Sequence, residues 1–140
     1  MKYIVILSVF LSFIGCANQE TRKVDLNGHG DMSCSKPLSE YNMKIINSQK
    51  ENKFKILLPE GVGENNRIEC KTNWYYYNGK ELNAYLVNEG GVFEVFLELP
   101  VTDNSWSIRG AKIDENILEG KFYHESWGAN VAEGKFEIYR

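Results

Sequence analysis

The chain has 140 residues, of which 43% are hydrophobic and 25% are charged, and its formal net charge is −3. This is an ordinary globular composition, so it excludes a disordered chain, a collagen-like repeat and a polytopic membrane protein, and the length fits one domain. Aromatic residues make up 13% of the chain, which favours β-structure, and an acidic chain without a basic cluster indicates that no nucleic acid is bound.

The chain begins with the features of an export signal. Lys2 gives a short basic start, and residues 3–14 (YIVILSVFLSFI) are apolar except for two serines. This run is too short to cross a bilayer, which takes about 20 residues in a helix, but it suits the apolar core of a signal peptide. The alternative is a buried N-terminal strand or helix in which Cys16 is an ordinary core thiol.

The end of this segment, Ser12-Phe13-Ile14-Gly15-Cys16, resembles the lipobox of bacterial lipoproteins. The resemblance implies that residues 1–15 are removed and that Cys16 carries the lipid, including palmitate, which holds the protein on a membrane. It also implies a place in the cell envelope, in the outer membrane if the organism has one. We therefore expect residues 16–40, which are polar and carry Asn27-Gly28, to form a flexible tether.

Cys34 and Cys70 are the remaining thiols of the chain. An even pair of cysteines in an exported protein is more often bridged than free, so the sequence predicts a disulfide between them. The alternative is two free cysteines that act as small buried hydrophobes. The spacing of His29, Asp31 and Cys34 matches no standard zinc pattern, so we expect no metal and no cofactor.

Residues 41–140 are predicted to form one all-β domain. Apolar and polar residues alternate in runs separated by turn signals, as expected of strands joined by short connections. The runs are Tyr41 to Ile45, Phe54 to Leu58, Ile68 to Tyr76, Leu82 to Leu86, Phe93 to Leu99, Trp106 to Ile108, Leu118 to Phe122 and Ala132 to Ile138. About eight antiparallel strands in an up-and-down meander can close into a barrel, and a two-sheet β-sandwich is the alternative.

Two local patterns add detail to this prediction. Asn78-Gly79 predicts a two-residue hairpin turn of type I′, in which both residues have positive φ. Glu119-Gly120-Lys121-Phe122 recurs as Glu133-Gly134-Lys135-Phe136, with glycine and phenylalanine on the inward face. A glycine that recurs inside strands indicates strong bending or space for a facing aromatic ring.

The last third of the chain resembles the lipocalin-like (calycin) group of small bacterial β-barrels. The residues that carry the resemblance are 113–120 (IDENILEG) and 134–140 (GKFEIYR): a turn, a strand containing glycine, and a final strand that ends in Arg140. The resemblance implies a lipocalin-like barrel. The Gly-x-Trp signature of true lipocalins is absent from the N-terminal part of the chain.

Aromatic residues are the candidate binding residues. Trp74, Tyr76, Trp106 and Phe122 fall on the predicted inward face, where they either line a cavity for a small apolar ligand or fill the core. Tyr75, Tyr77 and Tyr85 are predicted on the outer face around the Asn78-Gly79 hairpin, and Trp127 is predicted in a loop. Exposed aromatic residues are enriched at protein interfaces, so these four are candidate partner contacts.

No catalytic constellation is evident. His124 is the one histidine of the predicted domain and stands near a hairpin end, where a solvated loop position is expected. Glu94 and Glu98 fit the solvent-exposed face of a strand. We therefore expect a non-catalytic binding domain for a protein partner or a small apolar ligand. The alternatives are a module similar to the lipoprotein barrels that inhibit lysozymes, and an enzyme of unknown type.

Overall fold

The computed structural model describes residues 32–101, 104–126 and 129–140, and at 126 and 129–133 it describes the backbone alone. The predicted signal peptide (residues 1–15), the predicted lipidation site Cys16, residues 17–31 of the predicted tether and the candidate contact Trp127 lie outside the described residues.

Eight strands form a single sheet. They are β1 (Leu38–Asn47), β2 (Lys50–Pro59), β3 (Ile68–Tyr75), β4 (Glu81–Glu89), β5 (Val92–Leu97), β6 (Asn104–Lys112), β7 (Ile117–Ser126) and β8 (Ala129–Tyr139). Each strand pairs antiparallel with the next along the chain, and β8 pairs with β1, so the sheet closes into a barrel. The prediction of an all-β, up-and-down barrel is confirmed, and the alternative sandwich is wrong.

Strand alternation places the core inside this barrel. On β2, Phe54, Ile56 and Leu58 are buried, whereas Lys53 before them and Lys55 between them are exposed. Because successive side chains of a strand point to opposite faces, one row of each strand fills the interior and the other meets solvent. Each large apolar side chain that is fully buried in this way stabilises the fold by about 1.5–3 kcal/mol. The first strand begins at Leu38 rather than at residue 41, where the sequence placed the start of the domain.

The barrel has two ends, which are named here by what lies at them. The connections β1–β2, β3–β4, β5–β6 and β7–β8 lie at one end, called the aromatic end. The connections β2–β3, β4–β5 and β6–β7 lie at the other end together with the last residue of the sequence, so it is called the Arg140 end. This division follows from the antiparallel order, because consecutive connections of a meander alternate between its two ends.

The internal repeat places glycine opposite phenylalanine twice. Gly120 on β7 lies opposite Phe136 on β8, and Phe122 lies opposite Gly134. A Cβ atom added to Gly120 would stand 2.1 Å from the carbonyl oxygen of Arg109, so only glycine fits this close approach of β7 to β6. The two copies therefore pair reciprocally, and the space beside Gly120 and Gly134 is taken by the backbone of β6 and of β1, respectively.

The disulfide between Cys34 and Cys70 is present, as the sequence predicted. The two Cα atoms are 4.9 Å apart and the cysteines are 36 residues apart in the chain. Cys70 is a buried residue of β3, so the bridge fastens the segment before β1 to the barrel core. Closing a loop of this length lowers the entropy of the unfolded chain. The lost entropy stabilises the folded state by about 4 kcal/mol of free energy at room temperature.

Candidate functional site

Six aromatic side chains meet at the aromatic end of the barrel. They come from β2, β3, the β3–β4 turn, β6 and β7, and they are called the aromatic cluster: Phe54, Trp74, Tyr76, Tyr77, Trp106 and Phe122. Neighbouring ring centroids lie between 4.6 Å (Tyr76 and Tyr77) and 6.4 Å (Phe54 and Tyr76) apart. Most pairs meet edge to face, the arrangement that the ring quadrupoles favour.

Trp74 is the base of the aromatic cluster. It is fully buried on β3, and its indole Nε1–H donates to the carbonyl oxygen of Glu98, 3.0 Å away. Its ring centroid lies 5.5 Å from that of Phe54 and 6.0 Å from that of Trp106. A tryptophan that is held by a hydrogen bond and by rings from two other strands gives the cluster a rigid floor.

The four residues predicted on the inward face are brought together. Trp74, Tyr76, Trp106 and Phe122 all belong to the aromatic cluster, and the Trp106 and Phe122 centroids are 5.2 Å apart. At such distances the rings contact each other and leave no room for a ligand between them. This geometry corresponds to the filled core that the sequence left as the alternative to a lined cavity.

Tyr77 lies at the surface of the aromatic cluster. Its side chain is 43% exposed, yet its ring contacts Phe54 at 5.2 Å and Tyr76 at 4.6 Å. The partial burial, followed by the neighbouring Tyr76, raises the pKa of the Tyr77 phenol, so the hydroxyl stays protonated and able to donate. Tyr77 therefore presents an aromatic face and a hydrogen-bond donor on a fixed support.

The turn explains why Tyr77 is not on the outer barrel face, where the sequence placed it. The predicted two-residue turn becomes a three-residue turn, Tyr77–Gly79, with positive φ at Asn78 and Gly79. The Gly79 amide donates to the Tyr76 carbonyl oxygen over 3.0 Å. Because β3 ends at Tyr75, strand alternation does not extend to Tyr77. The turn instead places the Tyr77 ring over the end of the barrel.

The other two predicted outer-face contacts, Tyr75 and Tyr85, are less exposed than the sequence predicted. Tyr75 is half-buried on β3, between Lys55 on β2 and Glu81 on β4. Tyr85 is only 1% exposed, so its predicted role as an exposed partner contact is wrong. Its hydroxyl donates to a carboxylate oxygen of Glu69, and burial followed by this hydrogen bond raises its pKa to about 12. Its burial and its hydrogen bond to Glu69 thus leave little of Tyr85 for a partner to contact.

His124 is also placed differently from the loop position that the sequence predicted. It belongs to β7, lies opposite Trp106 in the register and is half-buried. One ring nitrogen, Nε2, lies 3.3 Å from Oδ1 of Asn104. His124 therefore stands at the rim of the aromatic end, where it extends the cluster with a polar ring.

A cavity of about 150 Å³ opens at the Arg140 end. Its floor is apolar and buried, whereas its rim carries charges of both signs. The floor is formed by Leu58, Val62, Leu118 and Ile138, and the rim includes Tyr41, Glu60, Glu64, Lys112 and Arg140. A cavity of this volume is large enough for a single ring or a short aliphatic group that lies on the apolar floor beneath a polar rim.

An ion pair and a contact between Arg140 and Tyr41 hold the rim of this cavity. Lys112 Nζ lies 3.1 Å from a carboxylate oxygen of Glu64, across the β2–β3 and β6–β7 connections. Arg140 donates to the Tyr41 hydroxyl over 3.2 Å, and its guanidinium carbon lies 5.4 Å from the centre of the Tyr41 ring. The contact with Tyr41 raises the pKa of Arg140 further above its usual value.

Asn88 fixes the β2–β3 loop that covers this end. It is fully buried at an inward position of β4, where its Oδ1 accepts from the Gly63 amide over 2.8 Å. Its amide group donates to the carbonyl oxygens of Glu64 and Asn66. Sequence reasoning missed this site, although a polar residue two places after Leu86 in an apolar inward row is a signal for it.

A shallow groove of about 230 Å³ lies on the surface beside β4, β5 and β6. Glu94 lines it together with Val87 and Arg109, which flank it in the register. Burial raises the pKa of Glu94, and the nearby Arg109 opposes that shift. The carboxylate is therefore less exposed to solvent than the sequence suggested.

Comparison with known protein families, with characterised proteins and with solved structures finds no match to the chain. The described residues contain no group of three or more His, Cys, Asp or Glu side chains placed to hold a metal ion. Nor do they include a helix long and apolar enough to cross a membrane.

Proposed function

We propose that the chain is a membrane-anchored lipoprotein of the bacterial cell envelope whose barrel is a non-catalytic domain that binds a protein partner. The anchor part of this proposal is supported by the lipobox-like segment that ends in Cys16. The binding part is supported by the aromatic end, where Tyr77 is exposed on a rigid aromatic support.

The exposed ring of Tyr77 is the observation that carries the proposal. Aromatic side chains with few rotatable bonds lose little entropy when a partner covers them, and tyrosine is enriched among the residues that dominate binding energy. Its contacts with Phe54 and Tyr76 already restrict the ring before a partner arrives. Preorganisation of this kind lowers the entropic cost of association.

Capture of envelope proteins from the source organism tests the binding site. The chain is immobilised through its N-terminal segment as three matched forms: unchanged, Tyr77→Ala and Tyr139→Ala. Tyr139 is a half-buried tyrosine at the Arg140 end, so its replacement controls for the loss of a tyrosine as such. The proposal expects one specific partner to be lost with Tyr77→Ala and kept with Tyr139→Ala; equal capture by all three forms would contradict it.

The anchor is tested by replacing Cys16 with serine. The unchanged chain is expected to incorporate labelled palmitate and to fractionate with membranes, because lipid attachment needs the cysteine sulfur. The Cys16→Ser chain is expected to stay unlabelled and unprocessed. Labelling and membrane fractionation that persist in Cys16→Ser would reject the lipoprotein part of the proposal and leave the binding part standing.

A small apolar ligand is the second candidate, and the cavity at the Arg140 end favours it. Titration with benzene and with hexanoate, followed by methyl NMR signals, distinguishes this site from the aromatic end. Binding is expected to shift the Leu118 and Ile138 methyl signals, which line the cavity, and to leave those of Leu97 at the opposite end unchanged. Signals that do not move at saturating ligand would exclude this candidate.

A further inference from the structure

Three exposed cations lie side by side on the outer face of the barrel. Arg109 on β6 lies opposite Lys121 on β7, and Lys121 lies opposite Lys135 on β8. Because residues that lie opposite each other on neighbouring strands point to the same face, these three side chains form one row, called the basic row. The sequence shows no basic cluster, since only the closed sheet brings these distant residues together.

The basic row lacks counter-charges of its own. Other cations of the barrel are paired: Lys44 lies 3.6 Å from a carboxylate oxygen of Glu137, and Lys55 is bonded to Glu40. Of the ion pairs among the described residues, none includes a member of the basic row. Like charges that lie directly opposite on neighbouring strands destabilise a sheet. The barrel therefore gains no stability from the row, and an anion outside the chain would supply the missing counter-charge.

The carboxylates nearest the basic row lie to one side of it or are partly covered. Glu119 and Glu137 lie opposite each other, one outward position nearer the Arg140 end. Glu94 lies opposite Arg109 on β5 and is half-buried. These groups repel an anion that approaches from the Arg140 end, so the row is open to anions from the side of the aromatic end.

The neighbours on that open side are uncharged. Ser107 and Tyr123 lie opposite each other, one outward position nearer the aromatic end, and both are half-buried. At the end of the row, Ile46 on β1 lies opposite Lys135 and is 38% exposed. Cations beside a tyrosine and an exposed apolar side chain suit the boundary between lipid headgroups and acyl chains.

We propose that the basic row is a docking surface for the anionic headgroups of a lipid bilayer, and that it turns the β6–β8 side of the barrel toward the membrane. This inference rests on the proposed membrane location, because exposed cations attract a bilayer only at short range. Neighbouring strands are about 4.8 Å apart, so the row spans about 10 Å, which is wider than one phosphate group. A plane of headgroups can therefore meet all three cations at once, whereas a single soluble anion cannot.

Docking through the basic row leaves the aromatic end accessible. The strands close in chain order, so β3 lies across the barrel from β7. The β3–β4 turn that carries Tyr77 is therefore on the side away from the bilayer. A lipid anchor combined with a basic patch holds a protein more firmly than one acyl chain alone, so the docked barrel would keep Tyr77 directed at a protein partner.

Lysine acetylation tests the proposal on the full chain. The chain is reconstituted in vesicles of phosphatidylcholine, with and without phosphatidylglycerol, and is treated with a water-soluble acetylating reagent. Each basic residue near an anionic surface adds about a fivefold preference, so Lys121 and Lys135 are expected to react about tenfold more slowly on the anionic vesicles. Lys71 and Lys80, across the barrel on β3 and after its turn, are expected to react equally on both. Equal rates for Lys121 and Lys135 would overturn the proposal.

A third sample separates a bilayer from a soluble anion. Inorganic phosphate added to the phosphatidylcholine vesicles is expected to leave the rates at Lys121 and Lys135 unchanged. Protection by inorganic phosphate equal to that by phosphatidylglycerol would indicate a site for a free anion and overturn the proposal, as would a chain that floats with neither vesicle. Palmitate labelling is scored on the same chain, so protection without label would reject the lipid anchor and keep the docking surface.

A pair of arginine variants tests whether the three cations act together. Arg109→Gln removes one cation of the row and keeps both lysines as reporters, so their protection on anionic vesicles is expected to fall about fivefold. Arg67→Gln, at a 76% exposed side chain just before β3, is the matched control and is expected to keep the protection. Equal protection of Lys121 and Lys135 in the two variants would overturn the proposal.

Discussion

The two ends of the barrel are closed by different means. At the aromatic end, rings from four strands and one turn pack against each other, with Trp74 fully buried beneath them. At the Arg140 end, a loop held by Asn88 and the Lys112–Glu64 ion pair at the rim close the barrel, and a cavity of about 150 Å³ stays open between them. The packed rings fill the interior at the aromatic end. The hydrogen bonds at the Arg140 end hold the loop in place but do not fill the space beneath it.

This difference teaches which end is suited to which kind of partner. A rigid, filled surface that carries the exposed ring of Tyr77 suits the flat contact of another protein, because that ring can be covered without first expelling a core residue. A cavity with an apolar floor suits a small group that replaces water inside it. The predictions below test this contrast through the stability, the pH response and the binding of variants at each end.

The largest effect is expected from Trp74→Ala. Removal of a fully buried tryptophan leaves a large cavity under the aromatic cluster, so the free energy of unfolding is expected to fall by about 3–5 kcal/mol. Leu118→Ala is the matched change at the Arg140 end, and about 2 kcal/mol is expected because its side chain already borders open space. Urea denaturation of both variants measures the contrast; equal losses would mean that the two ends are packed alike.

Asn88→Ala is expected to have the next largest effect, at the Arg140 end. The change leaves the Gly63 amide and the carbonyl oxygens of Glu64 and Asn66 without their partner, which costs about 2 kcal/mol of stability. Faster hydrogen exchange at the Gly63 amide is expected to accompany the loss. Asn83→Ala, an exposed change on the same strand, is the control and is expected to stay within about 0.5 kcal/mol of the unchanged chain.

The fold could be predicted from the sequence because one physical rule governs most of it. Strand alternation correctly placed Phe54, Ile56 and Leu58 inside the barrel, and the expectation of export together with an even cysteine pair predicted the Cys34–Cys70 disulfide. These features depend on neighbouring residues or on composition, which a sequence displays directly. The reciprocal glycine–phenylalanine pairs were visible as a repeat for the same reason.

The candidate site could be predicted only in part, because alternation fails where strands end and where outer-face neighbours cover a side chain. Tyr77 is the first residue of a turn that contains one residue more than its Asn-Gly pair suggests, so its ring lies over the barrel end. Tyr85 does point away from the core, but it is buried and bonded to Glu69. The cavity at the Arg140 end depends on loop contacts between distant residues, which alternation does not encode.

Tyr85 predicts a loss of stability at high pH. Its pKa is raised to about 12 in the folded chain, from 10.0 for a free phenol, so the unfolded chain loses this proton first. The stabilisation from the neutral phenol is therefore complete below pH 10 and is lost as the pH rises from about 10 to 12. Thermal denaturation across this range measures the slope. Tyr85→Phe is expected to flatten it, and an unchanged slope in that variant would assign the effect to other groups.

The smallest effect on stability is expected from Tyr77→Ala. The side chain is 43% exposed, so its removal is expected to lower the free energy of unfolding by less than about 1 kcal/mol. Affinity for the partner at the aromatic end is expected to fall much more, by about 2 kcal/mol or roughly thirtyfold, because a covered aromatic anchor contributes mainly to binding. Tyr77→Phe keeps the ring and removes the hydroxyl, so it separates ring packing from hydrogen bonding. If the Tyr77→Ala chain unfolds as readily as the Trp74→Ala chain, Tyr77 is part of the core and the aromatic end presents no separate binding surface.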